Sequence, residues 1–262
     1  MSTTPRPYIL HEANLKQLQT LRPNVAVLPW GATEAHNLHL PHGTDNIEAI
    51  TVGEEAVGKA CAAGARCVLL PCIPFGNNNQ QLSQVATITL KTSTQQAMLR
   101  DIAESLVRQG IDRLVVLNFH GGNEFKPLIR DIMLELPIFI VQIHAYQVAP
   151  EMTKLLDDPK GDHAAEFETS LLLHWCPQWV AMDQAGEGRS TPFAIKSLKT
   201  PGVWAPRDWA ALTKDTGDGN PKAATAEKGK KIAAMIVDAI VPVLVELSAA
   251  KEGDFPYVIR RA

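Results

Sequence analysis

Three histidines, His36, His39 and His42, fall within seven residues of a 262-residue chain that holds eight in all, where a uniform scatter would place about 0.2. Glu34 precedes them and Asp45 follows, in the segment LPWGATEAHNLHLPHGTD, residues 28–45. Imidazole nitrogens and carboxylate oxygens are ligands for first-row divalent ions, and one carboxylate can bridge two of them. Glu34 and His36, two apart on an extended segment, point to the same side. A metal site is one reading of this segment and a solvated surface loop is the other. A second candidate is LNFHGGNE, residues 117–124. His120 sits where an apolar run stops, Gly121 and Gly122 permit a tight turn against a ligand, and Asn123 can cap the next helix. A glycine turn beside a core histidine has the same composition. The third is GDHAAEFETS, residues 161–170. If a helix starts at a capping Asp162, His163 and Glu166 share a face and Glu168 points elsewhere; an acidic first turn favoured by the helix dipole is the plainer account.

The elements that must position these residues alternate in the manner of an α/β domain with a largely parallel sheet. Short apolar runs predict strands at 25–28, 66–70, 113–117 and 138–143, and longer amphipathic runs predict helices at 46–62, 94–109, 123–135, 166–175 and 223–247. The helix at 94–109 has Ser93 as a candidate cap, Met98, Ile102 and Leu106 at four-residue spacing, and Gly110 to close it. Residues 28–45 and 117–124 therefore follow strands, where ligand sites of open parallel sheets form. Residues 184–221 carry no sustained period, as expected of a long excursion over a site or interface. With no linker-like tract, the expectation is one domain over 1–262.

Bulk composition excludes several classes. Lys and Arg total 25 against 28 Asp and Glu, a formal net charge of -3, which leaves no excess to gather nucleic acid or an anionic membrane. The apolar stretch 232–247 is interrupted by Asp238 and Pro242 and reads as a docked helix rather than a membrane span. The first ten residues, MSTTPRPYIL, lack the pattern of a secretory signal, so a cytoplasmic location is expected. Cys61, Cys67, Cys72 and Cys176 form no C-x-x-C pair and read as free thiols.

Glu34-x-His36, Asp45, the HGGN turn from His120 and the run DHAAEFETS together resemble the creatininase family of metal-dependent amidohydrolases. TPGVW at 200–204 and ATAEKG at 224–229 are similar to that family's C-terminal signature. The resemblance implies a three-layer α/β sandwich and two divalent ions per subunit, zinc or manganese and sometimes iron. Carried over by position, Glu34 and His120 would hold one ion, His36 the second, and Asp45 would bridge them. Creatinine-cleaving members carry a glutamate where this chain has Gly122, and Glu166 would replace it on the second ion. His163 would be the general acid and base, paired with Glu166 at the catalytic centre, and Glu168 would orient a neighbour. The implied reaction is hydrolysis of a C–N bond in a small amide, formamide or cyclic amide by water activated between the metals. The alternative is a non-catalytic metal-dependent binding protein. Family members form ring-like homo-oligomers, often hexamers.

Departures from the family pattern point to the substrate pocket. Asn37 replaces the usual glycine after His36, and His42 replaces an apolar residue. In residues 74–90 the family's Glu-His pair is replaced by Gln80 and Gln81 beside Asn77, Asn78 and Asn79. These supply donors and acceptors without charge, so a polar, nitrogen-rich small molecule is expected. His39, His42, Asn78, Gln80, Gln81, Gly121, Gly122 and Trp204 are the expected pocket residues, with Trp204 and Trp209 as parts of a lid.

Overall fold

Val25, Ala26, Val27, Leu28 and Trp30 are all buried, but they alternate between two separate cores. Odd positions face one core and even positions the other, as the two-residue period of a strand buried on both sides requires. The same alternation holds in the neighbouring strand, where Val115 and Leu117 face the first core while Leu114 and Val116 face the second. In this computed structural model, which describes residues 5–251, four strands form one parallel sheet in the order β2-β1-β3-β4. They are β1 (Val25–Trp30), β2 (Cys67–Leu69), β3 (Arg113–Asn118) and β4 (Phe139–His144). The register sets Trp30 beside Asn118 and Asn118 beside His144, so three strands end level with one another.

Helices cover both faces. They are α1 (Leu15–Leu21), α2 (Thr44–Ala62), α3 (Thr92–Arg108), α4 (Lys126–Glu135), α5 (Ala145–Val148), α6 (Glu166–Trp175), α7 (Trp209–Leu212) and α8 (Ala226–Ala249). The first core joins the sheet to α2, α6 and α8, and the second joins it to α3 and α4. Phe125, fully buried, packs its ring 4.8 Å from that of Trp30 in the second core. Phe125→Ala should cost about 3–5 kcal/mol of stability, read as a lower urea midpoint; an unchanged midpoint would contradict this packing.

Several boundaries differ from expectation. α3 starts at Thr92 with Lys91 at its N-cap, so Ser93 lies inside the helix rather than capping it. α4 starts at Lys126, because Asn123 turns inward: its Oδ1 accepts from the Asn77 N–H and Gln95 Nε2, and its Nδ2 donates to Asn118 Oδ1. α8 runs unbroken through Pro242 for 24 residues, long and apolar enough by composition to cross a membrane. Its Ile232, Ile236, Val237, Ile240 and Leu244 are instead buried in the first core. The four cysteines are free thiols. Met1–Thr4, part of the stretch read for a signal, and residues 252–262 lie outside the described residues.

Candidate metal centre

The site lies beyond the carboxyl ends of β1 and β3, and four segments deliver its ligand atoms. The loop after β1 supplies Glu34 and His36, the first turn of α2 supplies Asp45, the turn after β3 supplies His120, and Glu168 comes from the first turn of α6. All five are buried. Asp45 is the centre of the arrangement. Its Oδ1 lies 2.8 Å from His36 Nε2 and its Oδ2 lies 3.0 Å from His120 Nδ1. Glu34 Oε1 is also 3.0 Å from His120 Nδ1, and Glu168 Oε1 is 3.9 Å from His36 Nε2. The ligand atoms of Glu34, Asp45 and His120 form one close group, those of His36, Asp45 and Glu168 a second, and those of Glu34, His36 and His163 a third.

Which nitrogen of each ring faces the carboxylates is decided by the opposite nitrogen. His36 Nδ1 lies 3.1 Å from the Glu34 carbonyl and His120 Nε2 lies 3.1 Å from the Asn77 carbonyl. A carbonyl can only accept, so each of those nitrogens carries the hydrogen. In the neutral rings His36 Nε2 and His120 Nδ1 are then lone pairs, each aimed at carboxylate oxygens that are also lone-pair donors. His36 Nε2 and both Asp45 oxygens have no hydrogen-bond partner despite complete burial. Lone pairs converging from imidazoles fixed by backbone carbonyls form a donor set that suits divalent cations. Without a cation, protons fill the same need. Burial opposes charge on His36, but Asp45 outweighs it and raises the ring to about 10; His120 is raised well above its usual value by Glu34 and Asp45 against the same burial. Burial, with Asp45 nearby, pushes Glu168 up to about 8. Burial also holds Glu48, one turn beyond Asp45, well above the carboxylate range, with neither oxygen partnered.

His163 differs from the other two rings. Its Nε2 donates to the Ala35 carbonyl at 2.8 Å, which leaves Nδ1 as the lone pair, 3.9 Å from Glu34 Oε1. The 3.3 Å approach of Gln81 Nε2 to the same Nε2 is a contact between donors, while that amide donates to Glu34 Oε2 at 2.7 Å. Burial, then the neighbouring His36, holds His163 below the ordinary imidazole value.

Glu166, expected on the second ion, stands outside all three groups. Its carboxylate accepts from the Asp157 and Asp158 N–H groups at 2.7 and 2.9 Å and pairs with Lys228 Nζ. The reason lies in where the helix begins. Ala165, not Asp162, is the N-cap of α6, and Ala164 has φ 50, a left-handed kink between His163 and the helix. Three-residue helical spacing therefore does not apply between His163 and Glu166, and Glu168 is the side chain that enters the cluster. Asp162 pairs with Arg207 instead of capping. Asn37 has φ 51, a conformation that glycine adopts freely and asparagine tolerates.

Above the cluster opens a cavity of about 1150 Å³, with Gln80, Gln81, Gly121, Gly122 and Trp204 on its walls. Three other expected pocket residues do not line it. His39 Nε2 bonds Thr169 Oγ1 at 2.9 Å, and burial, then His36, lowers that ring to about 4. His42 Nε2 bonds the Val85 carbonyl, and Asn78 Nδ2 donates to the carbonyls of Thr33 and Ile88, so both fix loops. Polar side chains at these positions satisfy backbone rather than facing a ligand. Residues left without a role by the sequence also reach the cavity wall, among them His144 at the end of β4, Tyr146 just after it, and Arg207. The position of His144 at a strand end was a usable signal; nothing local marked the other two. A Cβ at Gly122 would sit 2.3 Å from the Asn77 carbonyl oxygen and 2.4 Å from His120 Nε2. The turn therefore excludes any side chain there. Gly122→Ala should displace His120 and reduce metal content as well as the thermal midpoint; unchanged metal content would show that the turn has slack.

Residues 11–244 match the creatininase family, described as creatinine amidohydrolase. The chain belongs to that family. Among its relatives is the mycofactocin precursor peptide peptidase of Mycobacterium ulcerans (strain Agy99), 29% identical over 246 residues and 90% of each chain. A crystal structure from Bacteroides fragilis NCTC 9343, provisionally described as a creatinine amidohydrolase, superposes with a TM-score of 0.90 at 39% identity, over 95% of this chain and 99% of that one. A glutamate-to-glutamine mutant of creatininase solved in a Zn–Zn form shares the fold at a TM-score of 0.77 and 22% identity, over 94% of this chain and 100% of that one; an Mn form of creatininase is also known. The α/β sandwich implied by the sequence is thus the fold observed, and the chain is a creatininase-family amidohydrolase with buried His, Glu and Asp groups able to hold metal.

Proposed function

We propose that this protein hydrolyses a C–N bond in a small polar amide, formamide or cyclic amide, using two divalent ions that share Asp45. The observation that carries this reading is the position of Asp45: one oxygen faces His36 and the other faces His120. Glu34, Asp45 and His120 would hold one ion, and His36, Asp45 and Glu168 the other. When bound, zinc or manganese ions supply a Lewis acid for the carbonyl and lower the pKa of the attacking water. His163 Nδ1 takes the proton of that water and returns it to the leaving nitrogen, while the Ala35 carbonyl holds the ring in the required tautomer. Glu34 is held in place by Gln81. Gln81→Ala should lower kcat/KM about 10- to 100-fold, the range for losing a group that orients a metal ligand; unchanged kinetics would remove Gln81 from the site.

Uncharged amides on the cavity wall support a polar, neutral substrate. The peptidase relative makes a short peptide the competing outcome. The test is metal-loaded protein against formamides, cyclic ureides and short peptides, read by release of formate, ammonia or amine. Turnover of the first two classes is expected. Cleavage confined to peptides would overturn the small-amide part, and full metal occupancy with no turnover would favour a binding protein. In this reading the protein is cytoplasmic and works as a homo-oligomer, hexameric in line with the family resemblance. Leu82, exposed on the cavity wall, and Val85, exposed three residues on, offer apolar surface to a neighbouring subunit.

A further inference from the structure

The segment after residue 205 reaches His163 in two independent ways. Through the backbone, the Asp218 carbonyl accepts from the N–H groups of Asp162 and His163 at 2.6 and 3.0 Å, and the Asp218 N–H donates to the His163 carbonyl at 2.8 Å. Through side chains, the rings lie in contact in sequence, each tilted to the next. Trp209 lies 4.9 Å from the His163 ring, which lies 4.3 Å from His36, and the Arg207 guanidinium sits 4.6 Å over the other end at Trp209. Arg207 is itself fixed by Asp162 Oδ2 at 2.6 Å and Asp218 Oδ2 at 3.0 Å, the two residues that make the backbone bridge. Trp209 is only 3% exposed. It is therefore a packed wall of the site and not a flap above it.

We propose that Trp209, braced by Arg207, is a positioning residue that clamps the His163 imidazole in the orientation needed for proton transfer. An imidazole has one free torsion about Cβ–Cγ, and the Ala35 hydrogen bond alone leaves the ring able to tilt about that contact. Contact with the Trp209 indole and with the His36 ring, both tilted against it, restricts that motion. Small misplacements of a group that moves a proton cost rate rather than binding, so the clamp acts on kcat. The inference rests on the role proposed for His163.

Trp209 Nε1 has no hydrogen-bond partner, so Trp209→Phe keeps an aromatic wall and loses no bond, whereas Trp209→Ala removes the wall. Two readouts on metal-loaded protein test the clamp. By NMR, ring current from the indole should shift the His163 ring protons; Trp209→Ala should move them and Trp209→Phe should largely restore them. With formanilide as probe, read as aniline release, Trp209→Ala should lower kcat about 10- to 100-fold with KM within about twofold, and Trp209→Phe should stay within about threefold. Trp209→Ala combined with His163→Ala should be no slower than His163→Ala alone, since a clamp has no effect without the group it holds. His163 resonances that do not respond to Trp209→Ala, additive losses in the double variant, or a Trp209→Phe loss equal to that of Trp209→Ala would overturn the clamp. If wild-type protein and His163→Ala were equally inert on formanilide, the hydrolytic reading would fail, and the NMR comparison would still decide whether the ring is held.

Discussion

His163→Ala should lower kcat by at least about 100-fold while leaving the metal content unchanged. General acid–base groups contribute about 10²- to 10⁴-fold, and none of the imidazoles packed around His163 is free to take over. His36 and His120 have their second nitrogens turned to carboxylates, and His39 is tied to Thr169. His163 also stands within a close group with Glu34 and His36, which makes the metal measurement decisive. Loss of an ion together with activity would make His163 a ligand and not a proton carrier. Full activity with the ring removed would mean that the proton leaves by another route.

Glu168 and Glu166 lie two residues apart on α6, and their neutral isosteres should behave in opposite ways. Glu168→Gln removes a charged oxygen from the group around His36 and Asp45, so the ion at that position should be lost and activity should fall about 100-fold or more. Glu166→Gln should retain both ions and instead lower stability. Its carboxylate holds the Asp157 and Asp158 N–H groups and Lys228. Weakening a fully buried hub of this kind costs about 2 kcal/mol, visible as a lower urea midpoint. Ion loss in Glu166→Gln with retention in Glu168→Gln would reverse the two assignments.

The contrast between these glutamates shows what local sequence can carry. Glu34, His36, Asp45 and His120 lie in segments that follow strands, where a parallel sheet converges its loops, so spacing and element order marked them as candidates and the family resemblance implied them as one ligand set. The choice on α6 depended on where the helix starts. A single left-handed residue, Ala164, takes His163 off the helical lattice, and alanine carries no signal for that conformation. Likewise His39, His42 and Asn78 have the chemistry of pocket residues, but each satisfies a group brought near by tertiary packing. Residues 184–221 read as a structureless excursion because their order comes from contacts far along the chain. Asp218 bridges to His163, and the Thr216 hydroxyl accepts from the Asn37 N–H. Such pairings leave no periodic trace.

Metal content per chain is the most direct test of a pair of ions sharing one carboxylate. Purified protein loaded with zinc or manganese and freed of excess should retain about two ions per chain, and Asp45→Asn should lose both together, with their loss abolishing turnover. A single ion per chain, or two that survive Asp45→Asn, would contradict the shared centre.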